Sequence, residues 1–85
     1  MNAIDAGVWE IDIHGMNAYQ ARVLIDSRLR RAGRDVYRLR IIHGCHHGTI
    51  LRDMIAETYA HHRRVLRMET GRNGGVTELI LREWY

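Results

Sequence analysis

The sequence predicts a small α/β domain, an α+β sandwich of order β-α-β-α-β-β in which two helices cover a mixed four-stranded sheet. Three observations predict it. Short apolar stretches bounded by turn residues alternate with segments of helical periodicity through most of the chain. Asp12-Ile13-His14-Gly15 and His43-Gly44-Cys45-His46-His47-Gly48-Thr49 each close a strand-like stretch and lead into a helix-like one, as βα units do. The 85 residues suffice for one domain over 1–85 and not for two, and 46% hydrophobic with 27% charged residues is a foldable composition.

Val8–Ile13 alternates as a half-buried strand does, with Val8, Glu10, Asp12 and His14 on one face and Trp9, Ile11 and Ile13 on the other. Asn17 with Gln20 three residues on is a capping-box start for a helix. Ala21, Leu24, Ile25, Leu29 and Ala32 form its apolar stripe, and Gly33 reads as its left-handed stop. Val36–Ile42 is the second strand, almost continuously apolar at its end as buried parallel strands are. Thr49 is placed to cap a second helix whose stripe is Leu51, Met54, Ile55 and Tyr59, and His61-His62-Arg63-Arg64 reads as its solvated, cationic end. Val65–Glu69 and Val76–Leu81 are two further strands around a turn of Arg72-Asn73-Gly74-Gly75. Right-handed crossover makes the first two strands parallel, directly or through a neighbour.

The formal charge of +3 is too mild to argue for nucleic acid alone. All 13 basic residues are Arg, however, and the guanidinium fork grips phosphate bidentately. A GC-rich coding sequence also replaces Lys by Arg, so composition does not decide. Arg28, Arg30, Arg31 and Arg34 complement the end of the first helix or form a basic flank for nucleic acid. A single Cys excludes an internal disulfide, and no stretch reads as a signal peptide or membrane span, so the expected location is cytoplasmic.

Asp12 and His14, at i and i+2 of one strand, share a face, where a carboxylate and an imidazole can orient each other, tune a general base or bind a metal together. In the second segment, Gly44 and Gly48 let backbone amides turn toward an anion at a helix N-terminus. His43 at the strand tip comes near His14 if the strands are neighbours, and two imidazoles around a phosphate suit strand scission; the alternative is a histidine buried by hydrogen bonding. Arg52, one turn into the second helix, is an expected anion contact. Cys45, His46 and His47 with Asp12 or His14 offer zinc ligands, but one thiol and adjacent loop residues fit a structural zinc site poorly, so no metal ligand is assigned.

The stretch from Trp9 to Arg82, nearly the whole chain and its core between about 8 and 82, resembles the Smr (small MutS-related) domain, found alone or at the C-terminus of bacterial MutS2 proteins. The likeness rests on Asp12-Ile13-His14-Gly15, matching the family's Asp-Leu-His-Gly; on Ile41-Ile42-His43-Gly44; on Leu51-Arg52; and on Gly74-Gly75-Val76-Thr77. It implies a βαβαββ fold similar to the C-terminal domain of translation initiation factor three. It also implies an endonuclease acting on DNA or RNA, in some members on messenger RNA at stalled ribosomes. Asp12 and His14 match the motif tied to cleavage, and the loop from His43 to Gly48 matches the nucleic-acid-binding loop. The family's second motif usually runs His/Thr-Gly-x-Gly-x-Gly, whereas Cys45-His46-His47 here separates Gly44 from Gly48.

The expected function is therefore cleavage or nicking of phosphodiesters, RNA slightly before DNA. Asp12, His14 and His43 are the expected catalytic residues; Gly15, Gly44, Cys45, His46, His47, Gly48, Thr49 and Arg52 are the expected nucleic-acid contacts. Attack by an RNA 2′-hydroxyl needs no cofactor; a divalent ion such as Mg or Mn would instead use Asp12 as ligand. The rivals are a non-catalytic module that docks on nucleic acid or the ribosome, and a redox or metal sensor built on Cys45, His46 and His47.

Overall fold

A computed structural model describes residues 7–45, 48–71 and 74–83. The order is β1 (Val8–Asp12), α1 (Ala18–Arg31), β2 (Arg38–Ile42), α2 (Ile50–Tyr59), β3 (Arg67–Thr70) and β4 (Val76–Ile80). The four strands form one mixed sheet in the order β1-β2-β4-β3. β1 and β2 are adjacent and parallel, with Asp12 opposite Ile42, while β4 runs antiparallel to both β2 and β3. This is the fold class the sequence predicts.

Alternation along the strands gives the sheet two unlike faces. Ile11, Ile13, Leu39, Ile41 and Leu79 are buried with Ala21, Ile25 and Leu29 of α1 and Ile55 and Tyr59 of α2, and Trp9 packs half-buried against them. The opposite face carries a charge lattice. Arg40 donates to Glu78 at 2.7 Å and to Glu10 at 3.3 Å, Arg38 donates to Glu78, and Arg67 donates to Glu69 at 3.0 Å and Glu83 at 2.7 Å.

α1 begins as expected, since the Asn17 side chain accepts from the Gln20 amide at 2.8 Å and Gln20 answers to the Asn17 amide at 3.1 Å. Its other end corrects two expectations. Gly33 is not a left-handed stop, because the helix gives way to extended backbone at Ala32. Arg64, read from the sequence as part of a solvated end, instead reaches under α1 and donates to the carbonyls of Leu29 and Ala32, the latter at 2.7 Å. A guanidinium thus satisfies the carbonyls that a glycine turn would otherwise serve. β3 starts two residues later than expected, because the chain still turns at Val65, whose amide bonds the His62 carbonyl at 2.9 Å.

Candidate functional site

Asp12 ends β1 and His14 follows two residues on in the turn, both exposed on the side away from the core. Ile13 between them is fully buried, so its neighbours are turned outward. The Asp12 carboxylate accepts from the His14 backbone amide at 3.1 Å, and the same oxygen lies 2.5 Å from the His14 ring Nδ1. These bonds from His14, the ring contact above all, hold the Asp12 carboxyl below its ordinary 3.8, so it is ionised at neutral pH. An ionised carboxylate can only accept, so Nδ1 donates to it, and in the neutral imidazole Nε2 is then the acceptor. The imidazole is 70% exposed, so Nε2 is free to meet a ligand.

The β2–α2 loop closes against this dyad. Gly44 has φ +83, and a Cβ there would lie 3.7 Å from the His14 Cβ. The two tips therefore lie side by side. Gly75 at the head of β4 clamps the loop from behind, its carbonyl accepting from the His43 amide at 2.9 Å and the Gly44 amide at 3.0 Å. An open cleft of about 450 Å³ lies alongside, between the N-terminal ends of the two helices. Gly15, Asn17, His43, Gly44, Gly48 and Leu51 are among its lining residues; Asp12 and His14 are not, and adjoin it through Gly15, next in sequence to His14, and through Gly44.

The two helix starts differ. α1 is capped by its own side chains, whereas α2 has no side-chain cap, its Thr49 hydroxyl donating to Asp53 at 2.8 Å. The first intrahelical bond runs from the Asp53 amide to the Thr49 carbonyl at 2.7 Å. The amides of Ile50, Leu51 and Arg52 thus meet no acceptor among the described residues, and Ile50 and Leu51 line the cleft. Uncapped amides at a dipole's positive end are suited to an anion.

The Smr domain family matches residues 11–81 of the chain. The chain belongs to the Smr family. Smr domains are in general associated with nucleic-acid binding and nuclease activity. No curated protein matches this Smr domain. Among solved structures, the Smr domain of Thermus thermophilus MutS2 is similar at a TM-score of 0.78 and 29% identity, covering 88% of this chain and 99% of that one.

Set against the sequence expectations, this Smr domain brings Asp12 and His14 together beside Gly44, with Gly15, His43, Gly44 and Gly48 lining the adjoining cleft. His43 differs from His14 in every respect that matters to proton transfer. It is 7% exposed, on the core side of the sheet with Ile13. Its Nδ1 donates to the Gly44 carbonyl at 3.0 Å, which leaves Nε2 to accept from the Thr77 hydroxyl at 2.9 Å. The Gly44 amide is committed to Gly75 and faces no ligand. Arg52 does not line the cleft; it is half exposed, its Nε 3.7 Å from the Asp53 carboxylate. Cys45 is an exposed free thiol, and His46 and His47 lie outside the described residues. Among the described residues no three His, Cys, Asp or Glu side chains are grouped to hold a metal, and no helix is long and apolar enough to cross a membrane.

Sequence reasoning missed Thr77 and Gly75, the residues that hold the loop. Their signal was present, since Gly74-Gly75-Val76-Thr77 stood out as a motif, but the carbonyl of one and the hydroxyl of the other become partners of His43 only once β4 lies beside β2.

Proposed function

We propose that this Smr domain is an endonuclease that cuts phosphodiesters at the rim between His14 and Gly44, with RNA the preferred substrate. The observation that carries it is the 2.5 Å contact of Asp12 with His14 Nδ1 on an exposed imidazole, next to the glycine loop that leads into the uncapped start of α2. Asp12 orients His14 through Nδ1. Nε2 takes the proton of the attacking hydroxyl, which for RNA is the neighbouring 2′-OH. The amides of Ile50 and Leu51, with Gly48, face the charge that builds on the phosphate oxygens. His43 acts as a positioning residue: through the Gly44 carbonyl and Thr77 it holds the loop against His14. The leaving oxygen needs a proton donor other than His43, and His46 and His47 are the neighbouring candidates by sequence.

A second reading draws support from His43 itself. With both its ring nitrogens engaged inside the fold, His14 is the one described imidazole open to the rim, an arrangement that also suits a module that binds nucleic acid or the ribosome without cutting. Product ends separate the readings. Purified protein incubated with end-labelled single- and double-stranded RNA and DNA, with and without EDTA, is expected to leave 2′,3′-cyclic or 3′-phosphate ends on RNA. Ends carrying a 5′-phosphate, formed only with a divalent ion, would replace this route with one using Asp12 as a metal ligand. Binding without any cutting would leave the docking module.

A further inference from the structure

Four arginines stand around a second cleft that the proposed cutting site does not use. This cleft, about 640 Å³, opens between the later turns of α1 and the C-terminal end of α2, with Arg22, Asp26, Arg30, Tyr59, Arg63 and Arg64 in its lining. Arg64 is committed to the end of α1. Asp26, the acid in this lining, accepts a hydrogen bond from the Tyr59 hydroxyl at 2.6 Å. Burial, with that carboxylate beside it, pushes the Tyr59 phenol well above its ordinary 10, so it keeps donating to Asp26 at any working pH. Among the described residues no ion pair engages Arg22, Arg30 or Arg63.

The sheet face is the opposite case. There Arg38, Arg40 and Arg67 are matched by Glu10, Glu69, Glu78 and Glu83, three positive charges against four negative. The chain's net +3 is therefore carried elsewhere, and the helix-side cleft presents four arginines against one aspartate. The two clefts share no lining residue, but α1 runs from the proposed cutting site to this one. Ala18 lines the first cleft, Tyr19 beside it is 72% exposed, and positions 19, 22, 26 and 30 follow one stripe of α1. From Ala18 to Arg30 the helix rises roughly 18 Å.

We propose that the groove between α1 and α2 holds the sugar-phosphate backbone of the strand being cut, several nucleotides from the scissile bond, with Arg22, Arg30 and Arg63 as its phosphate contacts. The proposal takes the identity of the strand from the reading above and nothing else. A phosphate backbone fits better than an acidic protein: the guanidinium fork matches phosphate, and the stripe begins with an exposed aromatic ring on which a base can stack.

The test measures affinity for a fluorescent single-stranded RNA of about 20 nucleotides, and for the matching DNA, between about 50 and 300 mM salt. His14→Ala is present throughout to prevent cutting. Combining Arg22→Ala, Arg30→Ala and Arg63→Ala is expected to flatten the slope of log K against log salt by about 2, near 0.7 per phosphate lost. Each single variant takes about a third of that, which keeps the test open if the triple variant unfolds. Replacement by Lys restores most of the slope. A slope unchanged in all variants overturns the proposal, and would be the result if an acidic protein were the occupant. If wild type never cuts but the slope falls, the groove stands and the cutting reading fails. If wild type cuts and the slope holds, the groove alone fails.

Discussion

Replacing Thr77 by Val tests directly what His43 is for. Thr77 is 5% exposed and valine is close to its shape, so the change removes one hydroxyl from a packed site and little else. His43 Nδ1 already donates to the Gly44 carbonyl, which makes Nε2 an acceptor whose donor is that hydroxyl. The variant leaves a buried lone pair without a partner, at a cost of about 2 kcal/mol. For a domain of this size that is a fall in midpoint of roughly 10 °C, readable by circular dichroism. Long-range ¹H–¹⁵N correlation on the wild-type imidazole should show the proton on Nδ1. If His43 only positions the loop, the variant still cuts at a temperature where it is folded, with a modest loss of rate. A folded Thr77→Val protein that has lost all cutting, or a wild-type ring protonated on Nε2, would refute the reasoning and return His43 to a direct part in proton transfer.

Other outcomes follow from the same geometry. Arg64→Ala should destabilise the fold by about 2 kcal/mol in urea melts, since it strips two carbonyls at the end of α1 of their donor, while Arg63→Ala next door stays within about 0.5 kcal/mol. Glu78→Gln leaves Arg38 and Arg40 without their shared carboxylate and should cost about 2 kcal/mol by the same measurement, with its effect reduced when Arg40 is already Met. The Asp12 carboxyl lies below its ordinary 3.8 in the folded protein, so its contact with His14 contributes stability above that pH and loses it as pH falls through the folded value. Both groups are largely exposed, so the increment is small. The stability difference between wild type and Asp12→Asn should close below about pH 3.8 and open above it.

How much of this was readable in the chain depends on how far each interaction reaches. The Asn17–Gln20 box lies within one helical turn, and both partners were visible side by side. Asp12 and His14 are two residues apart, and period-two alternation carried one step past the end of β1 was enough to put them on one face. The same alternation, applied to His43 across the parallel pairing with β1, would have sent it to the core side with Ile13; the register that requires this exists only in the sheet. Arg64 was misread because its partners are 32 and 35 residues upstream, where charge pattern suggests only a solvated end. Gly33 was misread for the same reason, since the guanidinium removes the need for a left-handed turn. The Glu78 lattice joins residues 38 and 40 positions apart and has no local signature at all.

The most direct measurement is the rate of RNA cleavage by wild type, His14→Ala and His14→Gln at matched, verified folding. A base at Nε2 that Asp12 keeps aligned predicts a loss of about 10²- to 10⁴-fold in both variants, with binding to the uncut RNA nearly unchanged. Equal cleavage by wild type and His14→Ala would contradict it.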